Sequence, residues 1–408
     1  MQITGVIMAN HIPSNFFVPG FRASGIAAGI KKTQAKDLAL LYSEPPAVAA
    51  GVFTVNRVKA APVLISMERV KSGKAQAILI NSGSANACTG KRGLEDGRRL
   101  SKLLAAELKT KAENILLAST GVIGKPLPMA QIESNLPVLV SSLSPMGLEA
   151  AAQAIMTTDT FPKAVIVRSR VNGKEISIAG IAKGAGMIAP HMATLLSFVL
   201  TDAAISPPAL RRVLKEGTEE SFNRITVDGD MSTNDTLLAL ANGKAGNQPI
   251  REKTPGYKNF SALLKEVLCP LAKMIARDGE GATKLVEIVV ENARTREEAQ
   301  RAARAIAESP LVKTAFFGAD ANWGRILCAA GYSGAIFDPA RVDVFFDEVD
   351  IVRHGQGTGV SKEEQATAVM LKDEYKVRIN FRQGKARASL FTTDFSFDYV
   401  KINASYRS

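Results

Sequence analysis

KGAGMIAPHMATLLSFVLTDAAI, Lys183 to Ile205, is the most irregular stretch of the chain. Gly184, Gly186 and Pro190 keep its first half from settling into helix or strand, because glycine admits too many backbone states and proline lacks an amide donor. From Ala193 and Thr194 onward it turns strongly apolar. A threonine is thus pinned where an irregular loop meets core sequence. Ahead of it, KAVIVRS and EISIAGIA are strand-like and would pair across VNGK. Behind it, Ser206 and Pro207 signal a helix start for a run through Ser221. The order is strand, strand, loop, apolar run, helix.

Working outward, strands and helices interleave throughout. LALLYS (38–43) and VAAGVFTV (48–55) read as two short β-like runs, QAILINSG (76–83) as a buried strand ending in a turn, and LEDGRRLSKLLAAELKT (94–110) as a helix. NILLASTGVIG (114–124) is a buried strand opening into a glycine loop. A helical stretch ending near Met156 gives way to the polar quartet TTDT. Beyond RDGEGATK (277–284) lie the alternating strand LVEIVV, a capping box of Thr295 and Glu298 on the helix REEAQRAARAIAE, and the strand-like RVDVFFDEVDIV and YKVRINFR. The pattern predicts α/β or α+β layers.

A length of 408 residues suggests two or three domains. The net charge of +12 invites a nucleic-acid reading, but it is unevenly spread. Residues 1–193 hold 22 Lys and Arg against 11 Asp and Glu, and residues 194–408 hold 29 against 28, so the segments carry +11 and +1. No basic–aromatic interleaving or nucleic-acid motif accompanies the charge, and no such partner is expected. Cys88, Cys269 and Cys328 form no CxxC pair, which argues against a disulfide framework or zinc knuckle and fits a reducing cytoplasm. The start lacks the basic and apolar regions of a leader, and no window approaches the ~18 apolar residues of a membrane span, so a soluble chain without membrane attachment is expected. His11, His191 and His354 are too few for a multi-histidine metal site or a Ser/His/Asp triad, and no metal is expected.

Gly184, Gly186 and Ala189, with Asp202 downstream, match a dinucleotide fingerprint in outline, but Pro190 and His191 follow where that fold needs an unbroken helix. GVIGKP (121–126) fails as a phosphate loop, since Pro126 follows the lysine and no glycine stands at the required earlier position. Thr194 offers another chemistry. Its Oγ can attack the Ala193 carbonyl, the peptide shifts to an ester, and water cleaves it. Thr194 then carries a free α-amine, with an ordinary pKa of about 7.7–8.0, as a base beside its own hydroxyl. Such a site needs no histidine. For an arbitrary threonine at such a junction, an ordinary buried residue is the commoner outcome.

Here the sequence resembles the ornithine acetyltransferases, also called glutamate N-acetyltransferases, of cyclic arginine biosynthesis. KGAGMIAPHMATLLSF is similar to that family's self-cleavage and nucleophile motif. The likeness continues through FRASGIAAGIKK, AAGVFTVNRVKAAPV, NSGSANACTG, STGVIG, AIMTTDTFPK, SFNRITVDGDMSTNDT, RDGEGATK, FFGADANWGR and YVKINASYRS, in family order over essentially the whole chain.

The resemblance implies autocatalytic cleavage between Ala193 and Thr194, giving chains 1–193 and 194–408, with about 283–408 a smaller C-terminal α/β portion. It implies Thr194 as nucleophile, the Thr120 hydroxyl and Gly121 N–H as oxyanion hole, and substrate contacts from Thr157, Lys183, Thr194, Glu280, Asn403 and Ser408. Where the family often ends in Thr, this chain ends in Ser408. The implied reaction is a ping-pong transfer of acetyl from N-acetylornithine to glutamate, without a cofactor. Some members also take acetyl-CoA as donor, which would make the enzyme bifunctional. The implied fold is a four-layer αββα sandwich resembling, but distinct in topology from, N-terminal-nucleophile hydrolases, and the implied assembly is an α2β2 heterotetramer in the cytoplasm. The rival within enzymes is a self-processing aminopeptidase or amidase of related fold, which passes the acyl group to water. The rival outside enzymes is a basic nucleic-acid-binding protein.

Overall fold

A computed structural model describes residues 15–189 and 195–405. They fall into two units, one formed by the chain up to residue 223 together with 230–275, the other by 224–229 together with 276–407.

The first unit contains β1 (Phe21–Ile26), β2 (Leu38–Phe53), α1 (Ala61–Arg69), β3 (Lys74–Ser84), α2 (Gly90–Glu107), β4 (Ile115–Val122), α3 (Met129–Ser141), α4 (Leu148–Ala154), β5 (Lys163–Val171), β6 (Lys174–Lys183), β7 (Leu196–Thr201), α5 (Pro207–Glu220), β8 (Thr236–Ala241) and α6 (Pro255–Arg277). Among the described residues its strands form one eight-stranded sheet in the order β4-β3-β2-β8-β7-β6-β5, with β1 also paired to β2. β3/β4 and β7/β8 are parallel and the other pairs antiparallel. β5 and β6 join through Asn172 and Gly173, both at positive φ, the conformation a tight hairpin favours.

The two runs expected as separate strands, LALLYS and VAAGVFTV, are one strand of 16 residues. Pro45 and Pro46 lie in its middle, where the register with β3 slips between Tyr42 and Ala47. Proline is tolerated at such an irregularity because no ladder hydrogen bond is needed there. The first half of β2 pairs with β1 and β3, and Val48–Phe53 pairs with β8. One buried cluster joins Leu41, Ile78, Ile80 and Leu116 from one side of this bend to Ile166, Ile181, Phe198 and Leu238 from the other. The sheet therefore doubles over on its own apolar face.

Helices cover both outer faces. Leu100, Leu104, Ile132 and Leu136 of α2 and α3 bury against Leu40, Leu79 and Leu117. On the other side, Gly180 of β6 lets α6 approach, since a Cβ there would stand 2.6 Å from Val267 and 2.7 Å from Leu271. Helix, sheet, sheet and helix make the four-layer sandwich.

The second unit holds β9 (Leu285–Ala293), α7 (Arg296–Glu308), α8 (Pro310–Phe317), α9 (Trp323–Tyr332), β10 (Asp343–Phe346), β11 (Val349–Arg353), β12 (Gln356–Gly357), α10 (Val360–Met370), β13 (Glu374–Asn380), β14 (Ala386–Thr393) and α11 (Phe397–Ser405). Its six-stranded sheet runs β12-β11-β10-β13-β9-β14 among the described residues. Ile288, Val290, Val344, Val377 and Ile379 pack on Ala302, Ile306, Phe316 and Ala330 of its helices. The single strand-like run RVDVFFDEVDIV is a hairpin, β10 to β11, turning at Asp347 with φ +48°. The expected capping box of Thr295 and Glu298 shares its carboxylate with an arginine. The Thr295 hydroxyl accepts the Glu298 N–H at 3.2 Å, while the Glu298 carboxylate is drawn to Arg294, a charged donor, at 2.6 Å. No helix among the described residues is long and apolar enough to cross a membrane.

Candidate active site

The parallel pairing of β3 with β4 runs from Ala77↔Ile115 to Gly83↔Gly121 and then slips, so that Ser84 faces both Thr120 and Val122. Gly83 and Gly121 have φ of +103° and +125°. A Cβ on Gly121 would stand 2.5 Å from the Gly83 carbonyl carbon, so no other residue fits that close backbone approach. Buried amides lock the neighbouring turns. Asn81 Nδ2 donates to the Ser84 carbonyl at 2.8 Å, and its Oδ1 accepts from the Ser119 hydroxyl at 2.6 Å. Asn234 Nδ2 donates to the carbonyls of Ala85 at 2.7 Å and Ser119 at 2.8 Å. Thr120 and Gly121, half-buried, are thus held at the end of β4 by a rigid frame.

Lys183 ends β6, and its Nζ lies 3.4 Å from the Thr120 hydroxyl. Its register partner is Leu196, so the beginning of β7 lies beside it. Lys183 is 8% exposed. Its counter-charge is Asp159, with an oxygen 3.9 Å away. The Asp159 side chain is fully buried and faces Lys163 Nζ at 2.8 Å, the Gly184 N–H at 2.7 Å, the Thr157 N–H at 2.9 Å, and Lys183 at the longer distance just given. Burial alone would raise this carboxyl, but the charges of Lys163 and Lys183 and the hydrogen bonds from Lys163 and Thr157 overturn that effect and hold it well below the ordinary carboxylate range. On the far side of the same peptide, Lys31 Nζ donates to the Met156 carbonyl at 2.8 Å. Asp159 brings Thr157 and Lys183 together, and Lys183 in turn reaches Thr120.

In the second unit, Asn403 of α11 donates from Nδ2 to Glu280 at 2.9 Å. The loop bearing Glu280 is clamped to the C-terminal arm, because Asp394 accepts the N–H groups of Thr283 and Lys284 at 2.8 and 2.9 Å, and the Ser396 hydroxyl donates to the Gly281 carbonyl at 2.5 Å. Glu280 and Asn403 are therefore a preformed pair. Ala193, Thr194 and His191, and the terminal Ser408, lie outside the described residues.

Asp202 has no nucleotide-binding context. It accepts the Ser177 N–H at 2.7 Å behind β6, and burial pushes its carboxyl up to about 6. Among the described residues no group of three His, Cys, Asp or Glu is arranged to hold a metal. Sequence reasoning left Asp159, Asn81 and Asn234 without roles, although all three stand in the quoted motifs. The signal available for Asp159 was a polar quartet placed between an apolar helix and a buried strand.

The ArgJ family matches residues 22–408. The arginine biosynthesis bifunctional protein ArgJ of Geobacter sulfurreducens is 53% identical over 391 residues, 96% of this chain and 100% of that protein. Its counterpart in Thermotoga neapolitana is 47% identical over 399 residues, again 96% of this chain and 100% of the relative. Among solved structures, the arginine biosynthesis bifunctional protein ArgJ of Bacillus halodurans is 45% identical with a TM-score of 0.50, covering 52% of this chain and 100% of that chain.

Proposed function

The chain belongs to the ArgJ family, and from that premise we propose that it is a self-processing glutamate N-acetyltransferase of arginine biosynthesis, with Thr194 as its nucleophile. Thr194 Oγ adds to the Ala193 carbonyl, the C–N bond breaks as the hydroxyl proton passes to nitrogen, and water hydrolyses the resulting ester. The cut leaves residues 1–193 and 194–408, with a free α-amine on Thr194. In the transfer reaction that amine takes the hydroxyl proton as Oγ attacks the acetyl carbon of N-acetylornithine. The acetyl C–N bond then breaks, the proton goes to the departing ornithine nitrogen, and glutamate's amine reverses the sequence to give N-acetylglutamate. One amide replaces another, so no ATP or other cofactor is required.

The observation that carries this reading is the contact between Lys183 Nζ and the Thr120 hydroxyl at 3.4 Å, at the end of β6 beside the start of β7. It supports Lys183 as the cation for a substrate carboxylate, and the Thr120 hydroxyl with the Gly121 N–H as two donors to one developing oxyanion. Thr157 is held beside Lys183 through Asp159. The family likeness also assigns substrate contacts to Glu280, Asn403 and Ser408. Dry surroundings matter, because hydrolysis of the acetyl ester would waste the acetyl group. The full-length match of the Bacillus halodurans chain to 52% of this one fits a divided protein, since residues 194–408 make up 215 of 408. The two fragments stay together as α2β2 in the cytoplasm, and acetyl-CoA serves as a second donor.

A denaturing gel with N-terminal sequencing tests the processing step. Two bands and a new terminus TLLSF are expected, and a single band refutes it. Ornithine release from N-acetylornithine should depend on glutamate. Equal release of free acetate without glutamate would instead mark a hydrolase.

A further inference from the structure

β7 and β8 run in parallel register from Leu196↔Thr236 to Thr201↔Ala241, and the Thr236 N–H donates to the Leu195 carbonyl at 3.0 Å. Asp235 therefore lies beside Leu195, the residue bonded to Thr194. It is 1% exposed, and neither of its carboxyl oxygens has a hydrogen-bond partner among the described residues. The Leu195 amide and the Thr54 hydroxyl face it as neutral dipoles without reaching hydrogen-bond geometry. The Thr54 hydroxyl is committed to the Ser232 carbonyl at 2.9 Å. Lys183, from β6, is the charged group that acts on it. Burial pushes its carboxyl well above the ordinary range, which favours the neutral acid in the intact chain. Buried polar groups are otherwise satisfied almost without exception, and one left open beside a peptide that is to be cut points to a partner that the cut creates.

We propose that Asp235 receives the α-amino group that cleavage creates on Thr194 and holds it in place for the transfer reaction. The inference rests on the reading of Thr194 given above. Before cleavage the Thr194 nitrogen is an amide and cannot take a proton. After cleavage it is an amine, and the Asp235 O–H bond breaks as an N–H bond forms, giving a carboxylate beside an ammonium with no change in net charge. The carboxylate then orients the amine and stabilises the positive charge that returns to it each time it accepts the Thr194 hydroxyl proton. Asp235 is thus a positioning residue, with no contact to substrate required.

Infrared spectroscopy of the full chain tests this directly. The carboxylic-acid C=O band of Asp235, identified as the band lost in Asp235→Asn, should be present in uncut Thr194→Ala and absent from the cut wild type. Its persistence in the cut wild type overturns the proposal. In a parallel measurement, Asp235→Asn should still be cut, while the acid limb of its kcat/KM profile moves to lower pH by about one unit or more, because the ammonium has lost its counter-charge. A variant that melts like wild type yet stays uncut, or whose acid limb stays in place, also overturns it. If the wild type itself yields no TLLSF terminus, the nucleophile assignment fails; if it does and the acid band remains, only the role of Asp235 fails.

Discussion

Asp159 shows how one buried side chain can organise a site. It pairs with Lys163, steadies Lys183 and fixes the backbone at both Thr157 and Gly184. Asp159→Ala would remove the carboxylate 2.8 Å from the fully buried Lys163, at a cost of about 3–5 kcal/mol, read as a lower urea midpoint at pH 7. The sign of the pH dependence follows from the depressed carboxyl. Its contribution is complete above the unfolded value of about 3.9 and is lost as the pH falls below it toward the folded value, so wild-type stability should drop in that acid window and the variant's should drop less. Thr120, Lys183 and Glu280 are proposed as site residues because they sit in motifs that resemble a family's. Asp159 could not, since its importance comes from four partners scattered between residues 157 and 184, and no local pattern encodes their convergence.

Among the elements, the end of β4 is the most constrained. Gly121→Ala puts a methyl group 2.5 Å from the Gly83 carbonyl carbon at a φ of +125°, and the strand end must move to accept it. Displacing one oxyanion donor should lower kcat by ~100-fold or more, measured as glutamate-dependent ornithine release, and the melting temperature should fall as well. Strands were legible where apolar runs were bounded by turns, as with β3, β4 and the β5/β6 hairpin. Residues 38–53 were not, because Pro45 and Pro46 look like a break and only pairing with three neighbours makes them a bend within one strand. The Thr295 cap was legible, but not the pairing of Glu298 with Arg294, since that depends on where an arginine side chain lies.

At the scale of the molecule, the layered sandwich followed from the interleaved elements and the family likeness, whereas the doubling of one sheet could not be read from strand order. That order carries a consequence for the proposed cut. β7 and β8 follow residue 194, yet they lie between β2 and β6, which precede it. The fragments should therefore co-elute in gel filtration without denaturant and unfold in a single urea transition. Elution of separate fragments in native buffer would contradict this. The same interleaving gives the protein a required order of events. A polypeptide made from residue 194 onward would begin as a two-stranded ribbon with both margins bare, and its complement would carry two bare margins of its own, all open to pairing with the wrong neighbour. On the proposed cut, continuity of the backbone is needed only while the strands find their places. A gene divided at that codon would be expected to yield inclusion bodies sooner than enzyme.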